Sequence, residues 1–564
     1  MARKGLALGT ILAMLLATLP TVSAQSAPGA GKVSREAEDR IHASGSDDMI
    51  PVIIQTTGAP SDAHFTRLHG RGGVVKALHT SIQGYSASVP ASQLDDFADD
   101  PEIEHVSYDS PVRAHLDVAY KAIKADVAAI NSGGLDGSGV GIALIDTGVV
   151  GHDDLLRSGA QSQVVEVEIV GHEPGLADYY GHGTHVAGIL NGNGYDSTGG
   201  SYYRTFRGLA PGARLISVRA LYPDGSGTTS DVLSALDWVT KFRTLYNIRV
   251  LNLSLGHPIY ESYTTDPLCR AVRTANDTGI VVVVAAGNEG LVGSGFGTID
   301  SPANEPSVIT VGAMDDKNSV STSDDVLAPY SSKGPTLIDH VVKPDLVAPG
   351  THIVSLRAAG SYLDTNYHAW TLAVSDYKNG ANSADGAYYD LSGTSMAAPM
   401  VAGTAALMIQ KSPTLSPATV KARLMASAVK DTALVFETGA GYLNVDAALK
   451  ATGTATTALS PVAMLGSDGG VYVQSLSLIW GVGWDSSLIW GFSKGASYGV
   501  NSTSVSSNIT ATYGLIWTFN AGTGTIVQNT QVTSSGLIWG VDACSLIWGD
   551  AVDAFGALWG GGKH

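Results

Sequence analysis

Charge is scarce in this chain. Of its 564 residues only 15% are charged, and 33 basic side chains face 51 acidic ones, a formal net charge of −18. No basic footprint of the kind that grips a phosphate backbone is present, which excludes nucleic acid as a partner. Cysteine is almost absent. Cys269 and Cys544 are the only two, so there is no disulfide framework, and the sequence leaves their pairing open. Beyond the N-terminus no apolar run reaches the ~20 residues that span a bilayer, so no transmembrane helix is expected in the mature chain. The N-terminus itself reads as a processing signal. Arg3 and Lys4 precede the apolar stretch from Leu6 to Leu19, and Val22-Ser23-Ala24 offers small residues for cleavage. Removal of residues 1–24 and export from the cell are expected.

What is present is apolar and patterned. Hydrophobic residues make up 44% of the chain, which suits a well-buried globular protein. The stretch that organises the rest is Leu391-Ser392-Gly393-Thr394-Ser395-Met396-Ala397-Ala398-Pro399, followed by an alanine-rich segment, Val401 to Met408. That segment is hydrophobic on nearly every side and reads as a core helix, with Pro399 in its first turn. A serine at such a helix start is by itself an ordinary cap.

Two further stretches supply what a serine nucleophile needs. Gly141-Ile142-Ala143-Leu144-Ile145-Asp146 is an apolar strand ending in a carboxylate. Gly181-His182-Gly183-Thr184-His185 places a histidine at the start of another small-residue helix. A hydroxyl nucleophile requires a base, and the base requires an acceptor that fixes its tautomer. A zinc reading of His182 and His185 is weak, because no glutamate or third ligand accompanies them.

At these motifs the chain resembles the subtilisin-like serine proteases, from about residue 120 to 450. The order Asp146, His182, Ser395 is that of this family, a worked example among triad enzymes. The resemblance implies Ser395 as nucleophile, His182 as general base, Asp146 as its orienting partner and His185 as structural. It implies Asn288, in Ala285-Ala286-Gly287-Asn288, as the oxyanion-hole amide; alone, that asparagine reads as a turn residue. It implies Ser254-Leu255-Gly256 and Ala285-Ala286-Gly287 as the two strands that flank an extended peptide. Neither segment carries a charge, so a preference for large apolar residues before the cut is expected. No cofactor is required for the chemistry. Structural calcium is a possibility that rests on Asp154 in His152-Asp153-Asp154-Leu155 as candidate ligand; one hard-oxygen ligand does not make a site.

Ahead of this region, strand, helix, strand, strand, helix and strand patterns follow one another from Ile50 to Tyr108, the ferredoxin-like order. By resemblance this is an inhibitor-type propeptide, an intramolecular partner removed by self-cleavage between about Pro111 and Ala122. From Val140 near-continuous apolar strands alternate with helices, among them Asp231 to Leu245 with a cap at Ser230. That pattern reads as a doubly wound, mostly parallel α/β sheet with its site at the carboxyl ends of the strands. After Thr452 charge nearly vanishes and a Leu-Ile-Trp-Gly unit recurs, as in Leu478-Ile479-Trp480-Gly481 and Leu537-Ile538-Trp539-Gly540, with shorter variants at Leu515-Ile516-Trp517 and Leu558-Trp559-Gly560. These runs read as short strands and turns: a small β domain or strands packed on the enzyme, a means of cell-surface or glycan attachment through exposed tryptophans, or an export or removable C-terminal segment.

The expected organisation is a signal peptide at 1–24, a linker at 25–48, a propeptide at 49–115, a peptidase domain at 116–452 and a β-rich tail at 453–564. The expected function is a secreted, monomeric, self-processed serine endopeptidase acting on proteins and peptides. A non-catalytic relative binding proteins or surfaces through the tail is the competing reading.

Overall fold

The computed structural model describes residues 32–473, apart from 35–36, 38–43, 95–96, 98–99, 110, 115–122, 158–160, 163, 172–177, 294, 318–320, 323, 382, 431–432, 434 and 466–469, together with 517–520 and 525–528. The signal sequence, Cys544 and most of the Leu-Ile-Trp-Gly units lie outside the described residues.

The N-terminal unit is an antiparallel sheet. Its strands are β1 (Met49–Thr56), β2 (Val74–His79), β3 (Gly84–Pro90) and β4 (Ile103–Tyr108), in spatial order β2–β3–β1–β4, with helix α1 (Asp62–Gly70) between β1 and β2. Val52, Ile54, Leu68, Val89 and Val106 form its own core. Ile53 and Ile82 instead join the core of the larger unit. Polar clamps reinforce this docking. Asp109 accepts from the Ser230 N–H and hydroxyl, each at 2.7 Å, and Asp237 accepts from the Thr80 and Ser81 N–H groups, each at 2.9 Å. A fifth strand, β5 (Pro111–Ala114), leaves this sheet for the catalytic unit.

The large unit is built on one mainly parallel sheet. Its strands are β6 (Gly141–Asp146), β7 (Val164–Glu168), β8 (Arg214–Arg219), β10 (Ile248–Leu253), β12 (Val281–Ala285), β13 (Ile309–Asp315), β14 (Val326–Leu327) and β15 (Leu346–Pro349). The spatial order is β14–β13–β12–β10–β6–β8–β7, with β15 beside β13 and only the edge strand β14 antiparallel. Side chains alternate between two cores. Ile142 and Leu144 face one, Ala143 and Ile145 the other. Both faces are covered, which is why these strands read as unbroken apolar runs. Helices α3 (His182–Asn191) and α7 (Thr394–Lys411) share the first core; α4 (Thr229–Phe242) and α5 (Pro267–Asp277) cover the second. Two short strands, β9 (Ser226–Thr228) and β11 (Leu255–Gly256), stand apart from the sheet.

Three details differ from the sequence reading. Helix α7 begins at Thr394, so Pro399 is its sixth residue and lies beyond the first turn. Helix α4 begins at Thr229, and its cap is Thr228, whose hydroxyl accepts from the Asp231 N–H; Ser230 is already inside. The chain also stays with the catalytic unit past residue 452. Ala455 and Ala458 are buried, the Ser460 hydroxyl donates to Asp345 at 2.6 Å, and the Ala463 N–H donates to His340 at 2.8 Å. Small residues in a Thr- and Ala-rich stretch give composition nothing to mark this burial. Beyond it, strands Ala463–Leu465, Gly470–Val473, Trp517–Asn520 and Thr525–Gln528 form an antiparallel ladder. Among the described residues no helix is long and apolar enough to cross a membrane.

Candidate active site

Each site residue sits where a strand or helix ends. Asp146 is the last residue of β6, Ser254 follows the last residue of β10, and Asn288 lies three residues past β12. His182 and Ser395 occupy the first turns of α3 and α7, two helices that pack side by side. All of this lies at the carboxyl edge of the sheet, where a doubly wound fold places its site.

Asp146 and His182 are buried and joined by a 2.7 Å hydrogen bond between Oδ1 and Nδ1. Asp146 Oδ1 also accepts from the Thr147 N–H at 2.8 Å. Gly183 makes the close approach possible. A Cβ there would fall 2.1 Å from the Gly148 carbonyl and 3.2 Å from Asp146 Oδ1.

The sequence reading missed Asp178 and Thr147. Asp178 is fully buried and accepts four hydrogen bonds: Thr147 Oγ1 and Gly181 N at 2.8 Å each, Thr184 N at 2.8 Å and Thr184 Oγ1 at 2.6 Å. It thereby caps α3 and ties it to the strand carrying Asp146. Burial pushes the Asp178 pKa up, and the four donors pull it back. An aspartate four residues before a helix-borne histidine was the available signal, because Asp is a strong capping residue. The loop between Asp178 and His182 is also gripped from outside. Tyr362 and Leu363 donate from their N–H groups to the Tyr179 and Tyr180 carbonyls, and the Tyr180 and Tyr362 rings stack at 5.5 Å.

Ser395 is buried and is the second residue of α7. Its carbonyl would ordinarily accept from the N–H four residues on, but that residue is Pro399, which has none. The Ser254 hydroxyl supplies the missing donor at 2.7 Å, and Ser395 Oγ donates in return to the Ser254 carbonyl at 3.4 Å. Asn288 Oδ1 accepts from the Thr394 N–H at 2.9 Å and from its hydroxyl at 3.1 Å. The amide oxygen is thus committed to the helix start, which fixes the side chain and leaves Nδ2 as its donor end.

His185 lies one turn beyond His182. Its Nε2 contacts the Ile353 and Tyr389 carbonyls at 3.2 and 3.0 Å, and burial lowers its pKa to about 3. It is a neutral packing residue.

Of the two segments expected to flank a peptide, Leu255–Gly256 is occupied by the chain itself, and the strand on the other side of that peptide is Ser226–Thr228, not Ala285-Ala286-Gly287. β5 runs antiparallel between β9 and β11, with Arg113 opposite both Ser226 and Gly256 and Ala114 opposite Leu255. A peptide strand therefore already lies in the groove beside Ser254.

Asp154 falls in a cluster with His152 and Asp196 whose ligand atoms lie within 4.8 Å of one another. Its two oxygens already accept hydrogen bonds, Oδ1 from the Asp196 N–H and Oδ2 from the Tyr388 hydroxyl, both at 2.8 Å. Burial raises its pKa. Calcium takes six to eight oxygen ligands. One imidazole and two carboxylates, one of them already hydrogen-bonded, suit a borderline cation better.

A carboxylate-bound imidazole, a serine at a buried helix start and an anchored amide define a serine-peptidase type of site on a doubly wound sheet. The chain belongs to the subtilase family: residues 137–441 match the Peptidase_S8 profile. It is 38% identical over 355 residues to serine protease AprX of Bacillus subtilis strain 168, covering 62% of this chain and 74% of that one. It is 32% identical over 452 residues to subtilisin E of the same strain, covering 79% of this chain and all of the relative. Among solved structures it is similar to fervidolysin from Fervidobacterium pennivorans, a keratinolytic enzyme related to subtilisin. There the TM-score is 0.53 at 23% identity, and the match covers 72% of this chain and 62% of that one, a likeness of fold. The protein is accordingly a serine endopeptidase of this family.

Proposed function

We propose that this chain is an exported endopeptidase made as a self-processed precursor, with Ser395, His182 and Asp146 as its triad. Ser395 Oγ attacks the substrate carbonyl. His182 takes the hydroxyl proton, then returns it to the leaving amine. Asp146 accepts from Nδ1–H and stabilises the imidazolium. The Asn288 amide and the Ser395 N–H receive the charge that develops on the carbonyl oxygen. Acylation of Ser395 and hydrolysis by water complete the turnover, and no cofactor takes part in either step.

The observation that carries this reading is β5 in the groove. An extended peptide added between two short strands is bound mainly through its backbone. Ala114, the last residue of β5, pairs with Leu255, and the adjoining Ser254 hydroxyl donates to the Ser395 carbonyl, so the strand ends beside the nucleophile at the expected edge of the propeptide. The bond cut in maturation is then His115–Leu116. On this reading residues 49–115 are a ferredoxin-like propeptide that both chaperones and plugs the enzyme, residues 1–24 are a signal peptide, the catalytic unit extends to about Ala463, and the remainder is a β-rich tail.

Intact mass and N-terminal sequencing of the secreted protein, beside Ser395→Ala, test this. Wild type should begin at Leu116, and the variant should retain the propeptide. If both begin at the same residue, self-processing by Ser395 is wrong.

A further inference from the structure

A half-exposed ring outside the groove stands behind the strand that pairs with the peptide. β9 begins at Ser226, which lies opposite Arg113, and its next two residues lie opposite Val112 and Pro111. For a cut after residue 115 these are the third, fourth and fifth residues before the bond. The far end of β9 is fixed by the α4 cap at Thr228. Its near end leaves a tight turn, in which the Tyr222 N–H donates to the Ser226 carbonyl at 2.6 Å and the Gly225 N–H donates to the Tyr222 carbonyl at 2.9 Å. Gly225 has φ +81, a conformation that favours glycine, and the space a side chain would take there is filled by the Tyr180 ring. Cε2 and Cζ of that ring lie 2.8 Å from the point a Cβ on Gly225 would occupy. The turn into β9 therefore rests on Tyr180.

Tyr180 is buried, and the Tyr362 ring stacks on it, 7° from parallel. Tyr362 itself stays 45% exposed, so it adds little to the core. It opens the short helix Tyr362–Asn366, which is held firmly from behind. Arg357 donates to Asp364 from Nε at 2.6 Å and from Nη2 at 2.9 Å, and the Gly360 N–H donates to the same carboxylate at 2.8 Å. The Tyr389 hydroxyl reaches the Leu363 and Tyr367 carbonyls at 3.1 and 2.8 Å. A bidentate guanidinium–carboxylate pair fixes geometry as well as adding energy. The loop ahead of His182 is held by Asp178 and by the backbone N–H groups of residues 362 and 363, and these bonds survive a change of the Tyr362 side chain. What the side chain adds is its ring against Tyr180. Resting on the peptidase reading above, we propose that Tyr362 is a positioning residue for extended substrates. Through Tyr180 and Gly225 it holds β9 where a peptide backbone can pair with it, and it leaves the triad alone.

The test compares two peptide anilides that share Ala-Phe before the cut, one blocked at that alanine and one extended by three further residues that reach β9. Mature enzyme is titrated with a serine-directed phosphonate. Wild type should favour the longer peptide in kcat/KM. Tyr362→Ala should shrink that preference by about three- to tenfold, the strength of one aromatic contact, mainly through KM. Cleavage of the short peptide should change much less. Tyr362→Phe keeps the ring and should retain the wild-type preference. A ratio on titrated sites does not depend on how much of each variant folds. A wild type indifferent to length, a preference unmoved by Tyr362→Ala, an equal loss on both peptides, or an equal loss in Tyr362→Phe overturns the proposal and leaves the peptidase reading intact. Failure to cleave either peptide, with no phosphonate label on Ser395, sinks the peptidase reading itself.

Discussion

Asp178→Asn isolates a buried carboxylate that never touches substrate. Its two oxygens face four donors. An asparagine presents one oxygen and one NH2 to the same four. If the NH2 takes the Oδ1 position it confronts the Gly181 N–H; if it takes the Oδ2 position it confronts the Thr184 N–H. The threonine hydroxyls can rotate and accept, but the backbone donors cannot. One buried N–H is therefore lost in either orientation, at about 1–3 kcal/mol, and the surviving bonds lose their charge assistance. Removing a desolvated charge returns part of this, so a net loss of about 2 kcal/mol is expected. That corresponds to a fall in Tm of ~3 °C in a domain of this size. The measurement belongs in a Ser395→Ala background, where self-digestion cannot distort the melt. Activity should fall too. Thr147 Oγ1 now donates to Asp178 at 2.8 Å and stands 3.3 Å from Asp146 Oδ1. Without the carboxylate it turns its proton to Asp146 and competes for the oxygen that holds His182. With Ser395 intact, kcat should drop about tenfold while KM stays close to wild type, the pattern of an interaction that matters in the transition state. A Tm within a degree of wild type together with an unchanged kcat would refute the reasoning.

Asn288→Ala should lower kcat by about 10²–10³, a range measured for subtilisin itself, with little change in KM; a loss below tenfold would move the oxyanion donor elsewhere. Stability should decline from about pH 6.5 downward. His185 is held neutral to about pH 3 by burial, and His340 to about pH 4, so below 6.5 the unfolded chain binds protons that the folded chain refuses. Each such histidine removes up to ~1.4 kcal/mol per pH unit until its folded pKa is reached. A denaturation midpoint that stays flat from pH 7 to 4 in the Ser395→Ala protein would contradict this. Calcium in large excess over a chelated sample should move Tm by less than about one degree, since a site filled at 100 times its Kd would add ~2.7 kcal/mol; a rise of several degrees would show that Asp154 gives up its hydrogen bonds to an ion.

The fold was legible wherever one residue type does one job. Apolar β-branched runs marked β6, β8, β10 and β12 nearly to their ends, because a strand buried on both faces leaves no position for polar residues; β13 runs on to Asp315, past the apolar run that announces it. Asp266-Pro267 and Ser416-Pro417 carry the cap-then-proline pattern of a helix start, and both caps accept an N–H. Ser395, His182, Asp146 and Asn288 stood out because each interrupts an apolar or glycine-rich run at an element's end. What stayed hidden depends on meetings across the chain. Pro399 looked like a helix-start residue; its consequence is an orphan carbonyl at Ser395, and the donor that answers it, Ser254, lies 141 positions away. Asp178 carries no signal of its full role until four donors from three separate positions converge on it. A local pattern can announce a nucleophile, because nucleophiles need particular local geometry. The bonds that hold a site in place have no local pattern, because donor and acceptor come from segments that periodicity treats separately.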